Sequence, residues 1–142
     1  MSVRIQAIDH VQLPLPPGAA ARARAFYEGV LGLRPLPEEP CSERPGTLRY
    51  RLGPQRLDLA EGPSAGAAPQ AHLALRVHGV AALAQGFRAR GLPVDGPREL
   101  PAPPGEAPRL RLYIEDPFGN RLELIEGGHQ ELHDALELHF AV

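Results

Sequence analysis

Apolar and polar positions alternate with a period of two along several short stretches of the chain. Val11, Leu13 and Leu15 form one such series, and Leu73, Leu75 and Val77 form another. Leu48-Arg49-Tyr50-Arg51-Leu52 and Leu110-Arg111-Leu112-Tyr113-Ile114 alternate likewise, as do the shorter Leu57-Asp58-Leu59 and Leu122-Glu123-Leu124. Period-two alternation marks strands with one buried and one open face. Two stretches have the three-to-four spacing of helices instead: Ala19, Ala23, Phe26 and Val30, then Val80, Leu83 and Phe87. Gly32 and Gly91 follow them, where a residue able to take positive φ ends a helix. The weakest strands follow each helix, at Leu33 to Leu36 and Pro93 to Val94, because prolines interrupt them.

These elements occur in the same order twice. One copy begins Asp9-His10-Val11-Gln12-Leu13 and the other Ala71-His72-Leu73-Ala74-Leu75. Each runs through a helix containing a Phe to a Gly-Leu, crosses a proline-rich loop into an alternating strand, and closes on a turn and a last strand. Prolines and glycines cluster at Pro14 to Gly18, Pro35 to Pro45, Pro63 to Pro69 and Pro93 to Pro108, so they punctuate elements. The pattern predicts an α+β chain of two strand–helix–three-strand modules, about 5–62 and about 70–126, with a tail over 127–142, in a single domain of 1–142.

Alternation then sorts the side chains. If the leucine faces lie under the helices, His10, Asp58, His72 and Glu123 all turn to the open face. Their spacing matches between the copies: His10 to Asp58 is 58 − 10 = 48 positions, and His72 to Glu123 is 123 − 72 = 51. Imidazole and carboxylate together suit a borderline divalent cation such as Zn, Ni, Mn or Fe(II). Three or four protein ligands leave positions open to water or substrate, as a reactive metal site requires. The same face carries Gln12, Tyr113 and the arginines 49, 51, 56, 76, 109, 111 and 121, where guanidinium groups meet a substrate anion or remain solvated and ion-paired.

Composition narrows the classes. With 142 residues, 43% hydrophobic and 23% charged, the chain is globular. A formal net charge of −2 offers no general attraction to nucleic acid. Cys41 is the only cysteine, in an acidic neighbourhood that disfavours a thiolate. No apolar run has the length of a signal peptide or membrane span, and the expected location is the cytoplasm.

The order of these motifs resembles the vicinal oxygen chelate superfamily, the glyoxalase, bleomycin-resistance and dioxygenase group. Ile8-Asp9-His10-Val11, Ala25-Phe26-Tyr27 and Leu31-Gly32-Leu33 match its opening. Asp116-Pro117-Phe118-Gly119-Asn120-Arg121-Leu122-Glu123 matches its D-P-x-G-N-x-[IL]-E run. Asp, Pro, Gly and Asn are also turn formers, and a turn feeding the last strand is their structural role. The resemblance spans residues 5–126. It implies paired βαβββ modules curling into an incomplete barrel with helices outside, and His10, His72 and Glu123 as ligands of one divalent metal. Asp58, also a candidate ligand, is the departure: similar proteins carry Glu, His or Gln there, and Asp, one methylene shorter, binds a metal through water or not at all.

The resemblance implies a metal-dependent enzyme acting on a small substrate with neighbouring oxygens. Lyase or isomerase chemistry, with Glu123 as the catalytic base, is preferred to dioxygenase chemistry, whose ring-cleaving members are generally longer. Arg111, Tyr113 and Gln12 are the expected substrate contacts, and a homodimer the expected assembly. The alternative is a metal-free protein that sequesters an antibiotic as the bleomycin-resistance members do, though four Phe, three Tyr and no Trp offer little to stack on. A fosfomycin-modifying transferase is a third reading, against which this chain shows no convincing loop for the second cation of those enzymes. In the tail, His129, His133 and Glu137 recur every four residues, as one face of a terminal amphipathic helix or a second metal site.

Overall fold

A computed structural model of the chain describes residues 3–37, 46–63 and 71–127. Cys41 and the histidine-bearing tail lie outside the described residues. The chain divides into two compact units, Met1–Ser64 and Ala65–Val142. Each is α+β, with one four-stranded mixed sheet and one helical stretch.

In the first unit, β1 (His10–Leu15) leads into α1 (Ala20–Arg24), which continues as a π-helical segment over Ala25–Val30. Then follow β2 (Arg34–Pro35), β3 (Leu48–Leu52) and β4 (Gln55–Glu61). The sheet order is β1-β4-β3-β2, with β1 parallel to β4 and the other pairs antiparallel. The second unit repeats this with β5 (Leu73–Val77), α2 (Val80–Ala89), β6 (Asp95–Leu100), β7 (Arg109–Glu115) and β8 (Arg121–Glu126), in the order β5-β8-β7-β6. The closing hairpin β7–β8 puts β8 beside β5, so the last strand of a module always pairs with its first. That topology is what can bring a strand-one histidine near a last-strand acid.

The leucine faces are the buried ones. Leu57, Leu59 and Tyr50 line one core, and Leu112, Ile114, Leu122 and Leu124 the other. In α2 the buried stripe is Val80, Ala84 and Phe87, with Leu83 half-buried at its edge. It ends in a pair of bonds around Gly91 (φ +74): Gly91 N–H to the Arg88 carbonyl at 2.9 Å and Leu92 N–H to the Phe87 carbonyl at 2.9 Å.

The first helix departs from the regular 3.6 period. Beyond Arg24 the turn widens, and Leu31 N–H reaches five residues back to the Phe26 carbonyl at 2.9 Å. Val30 drops to half-buried, whereas Phe26 and Tyr27 both enter the core. Tyr27 packs edge-on to Phe26 and stacks on Tyr50 at 5.9 Å. The Tyr50 hydroxyl donates to Glu28 Oε2 at 3.0 Å.

Burial, and then that bond to Glu28, push the Tyr50 phenol above its ordinary range. The folded state therefore holds this proton more tightly than the unfolded chain. The contribution is complete below the ordinary phenol value of about 10 and is lost as pH climbs from there through the raised folded value. Tyr50→Phe should cost roughly 1–2 kcal/mol at neutral pH. It should also remove part of the alkaline destabilisation, read as denaturant midpoint against pH.

Each helix start is closed by a carboxylate from the far end of its own module. Glu126 accepts from Gly79 N–H at 2.9 Å and from Val80 N–H at 2.7 Å; Glu61 accepts from Gly18 N–H at 3.0 Å. Gly79 carries no side-chain cap of its own, so Glu126 supplies both the acceptor and the negative charge at the helix N-terminus. Glu126→Ala should destabilise the protein by about 1–2 kcal/mol in urea unfolding.

Candidate metal centre

The second unit assembles the motif residues. In β8, Leu122 and Leu124 face the core, so Glu123 emerges on the opposite face, directly across from Tyr113 on β7 and Ala74 on β5. His72 precedes β5 by one residue, on the same side as Ala74 by alternation. Its Nε2 stands 2.8 Å from Glu123 Oε2. Two donors about 2.1 Å from one cation and at right angles to each other stand about 3.0 Å apart, so this pair has the reach and chemistry of two ligands.

Glu123 is only 6% exposed, and a buried carboxylate needs partners. Arg111 supplies the second, its Nη1 at 3.5 Å from Oε1. Tyr113 meets the His72 ring edge-on at 5.5 Å and is itself flanked by Arg121 at 4.2 Å and Arg111 at 5.5 Å. Arg121 also faces Asp95 at 3.8 Å. The imidazole, the carboxylate, the phenol and two guanidinium groups thus brace one another.

The turn before β8 sets this strand's entry. Asp116 is buried, and its Oδ1 accepts from Phe118 N–H at 2.9 Å and Asn120 N–H at 2.8 Å. Its Oδ2 accepts from Asn120 Nδ2 at 2.7 Å. Gly119 between them has φ +86. This is the turn read from the sequence, with the aspartate as its internal scaffold.

The first unit does not repeat the arrangement. His10 lies opposite Arg56, and Asp58 opposite Gln12 and Arg49. Arg56 grips both oxygens of Asp58, Nε to Oδ1 at 2.7 Å and Nη2 to Oδ2 at 3.1 Å, with Arg49 Nε at 3.9 Å from Oδ1. His10 bonds through Nδ1 to Asp9 at 2.8 Å. That hydrogen bond, ahead of the nearby arginine charges, holds the Asp9 carboxyl below its ordinary value. A carboxylate can only accept, so Nδ1 is the donor in this bond. Gln12 is exposed on this face.

Within neither unit do three or more His, Cys, Asp or Glu among the described residues converge as a metal cage. The sequence reading singled out His10 and His72 but overlooked Asp9 as a partner, although it adjoins His10. It also overlooked the Arg56–Asp58 pairing, although their spacing of two residues puts both on one strand face.

Known proteins share this organisation. A structure of a protein from Bacillus anthracis assigned to the glyoxalase family is 31% identical over 90% of this chain and 100% of its own, with a TM-score of 0.73. Lactoylglutathione lyase from Agrobacterium tumefaciens is 25% identical over 87% of this chain and 96% of its own, with a TM-score of 0.62. A mutant fosfomycin resistance protein, FosX from Listeria monocytogenes, crystallised with Mn(II) and a dihydroxypropylphosphonic acid, shares the fold. It is 17% identical over 92% of this chain and 99% of its own, with a TM-score of 0.66. No curated protein matches the sequence. The family profile covers residues 7–124, with His10, His72 and Glu123 inside the match, and the chain belongs to the Glyoxalase/Bleomycin resistance protein/Dioxygenase superfamily.

Proposed function

We propose that this protein is a divalent-metal-dependent enzyme acting on a small substrate with neighbouring oxygen atoms, by lyase or isomerase chemistry. The observation that carries the reading is the His72 Nε2 to Glu123 Oε2 approach of 2.8 Å on the sheet face opposite the leucines. In this reading His72 and Glu123 are ligands in the second unit, and His10, which the repeat marks as the counterpart of His72, is the candidate ligand of the first. Asp58 stays with Arg56. Imidazole and carboxylate together suit Zn, Ni, Mn or Fe(II). Bound there, the metal would polarise the substrate oxygens and stabilise negative charge developing on them.

The chain's own groups do the rest. Glu123 is placed to take a proton from the substrate carbon beside those oxygens and return it to a neighbouring carbon. Arg111 aims the carboxylate from 3.5 Å and offers further N–H groups to the substrate. Tyr113 holds the His72 ring in position, and Gln12 is a donor on the open face of the first sheet. The metal-free antibiotic-binding alternative loses ground because Phe26, Tyr27, Tyr50 and Phe87 are all spent in the cores, away from any flat ligand. Among the described residues no helix is long and apolar enough to cross a membrane. A homodimer belongs to the same reading, and light scattering measures it.

The test is metal content of protein purified without chelator, beside His72→Ala. Near-stoichiometric metal, lost in the variant while the fold survives, is the expected result. A native protein that takes up none of Ni, Zn, Mn or Fe(II) would sink the proposal.

A further inference from the structure

The register of the first sheet lines up arginines that the proposed proton chemistry does not use. His10 on β1 lies opposite Arg56 on β4, Arg56 opposite Arg51 on β3, and Arg51 opposite Arg34 on β2. One row thus crosses all four strands. It lies on the face away from Tyr50 and Leu57, which belong to the core under the helix. Cα atoms paired across antiparallel strands lie about 4.5–5.5 Å apart, so the three guanidinium groups are rooted within about 10 Å of one another.

Like charges placed directly opposite each other destabilise a sheet. Arg56 is compensated, by its two bonds to Asp58. Among the described residues Arg51 and Arg34 have no hydrogen-bonding or ion-pair partner for their side chains, and both are exposed. The fold does not demand such a row. At the corresponding place in the second sheet, Arg121 faces Glu115, an ordinary opposite-charge pair.

We infer that the Arg56–Arg51–Arg34 row seats an oxyanion of the ligand, a carboxylate, phosphate or phosphonate group. Guanidinium forks match that geometry, and an anion between them relieves the repulsion along the row. Asp58 is then a positioning residue, holding Arg56 flat against the sheet so that its neighbours project toward the ligand. Calling the oxyanion part of a substrate rests on the proposed function; the binding itself does not.

Inorganic phosphate and malonate, titrated into the full chain at constant ionic strength with chloride as the control, test this by calorimetry and by melting temperature. Binding of either anion should raise the melting temperature of the wild type. The stronger of the two identifies the group as phosphate-like or carboxylate. Arg51→Gln should weaken binding at least about tenfold, and Arg34→Gln should weaken it less. Arg51→Gln should also melt higher than wild type without anion, because it removes two like-charge pairs, an effect that a merely structural arginine would not show. Metal content should be unchanged in both variants. Failure of the wild type to take metal would end the metal reading and leave the anion seat standing. Anion binding that is absent, equalled by chloride, or undiminished in both variants would overturn the seat.

Discussion

Glu123→Gln should leave a folded protein that has lost both its metal and its activity. The amide has the carboxylate's shape, and replacing a carboxylate that is only 6% exposed by a neutral group relieves desolvation, so the fold should tolerate it. The site should not. The amide presents a weaker, uncharged donor beside His72, and Arg111 is left without its anionic partner. Removing an outer partner of a metal ligand already costs about 10–100-fold in affinity, so removing this ligand should cost at least about a hundredfold. With metal restored by excess, loss of the base should still slow turnover by about 10²–10⁴. Asp58→Asn is the matched control: the same chemical change at the repeat-equivalent position should leave metal content as it is, because Arg56 holds that carboxylate. Metal retained in Glu123→Gln, or lost equally in Asp58→Asn, would refute the assignment of ligands.

Asp116→Ala should give the largest loss of stability among substitutions outside the apolar cores. Its carboxylate satisfies two backbone N–H groups and the Asn120 amide within one turn. Leaving a part-buried donor without its acceptor costs about 1–3 kcal/mol, and three share this acceptor, so a loss of about 3 kcal/mol is expected after relaxation. Because the turn sets the entry of β8, the damage should reach Glu123 three residues beyond Asn120. Urea unfolding and metal affinity should therefore fall together. Asp116→Asn, which keeps one carbonyl acceptor, should recover part of both. An Asp116→Ala protein as stable as wild type would show that the turn is held by its backbone alone.

The repeat made the His72–Glu123 pair of the second unit legible. His72 and Glu123 stood out because each lies out of phase with the leucines of its strand, and the parallel pairing of a module's first and last strands then brings them together. The same reasoning offered His10 and Asp58 as a matching pair, and there it stopped short. Alternation says which face a side chain takes, but not which neighbour wins it. Arg56, two residues away on the same strand, reaches both oxygens of Asp58, and no hydrophobic pattern encodes that competition.

Two further features were hidden for similar reasons. The Tyr27 ring enters the core because the helix widens by one residue per turn beyond Arg24, a change that a 3.6-residue stripe cannot express. The carboxylates of Glu61 and Glu126 bond N–H groups at the helix entries, Gly18 and Gly79, 43 and 47 positions earlier in the chain, joined only by the sheet order.

What the sequence determined by itself was therefore what is periodic: the two modules, their alternating strands, and the sheet face to which each side chain of those strands turns, whereas the strand read at Pro93 to Val94 lies at Asp95–Leu100. Burial of apolar faces enforces those periods locally, so they are written residue by residue. What only the tertiary structure decided was pairing across strands: Glu123 with His72, Asp58 with Arg56, and the arginine row from Arg56 to Arg34. Register is set by the fit of whole strands, and hydrogen bonds and charges act between residues that register, and not sequence, makes neighbours.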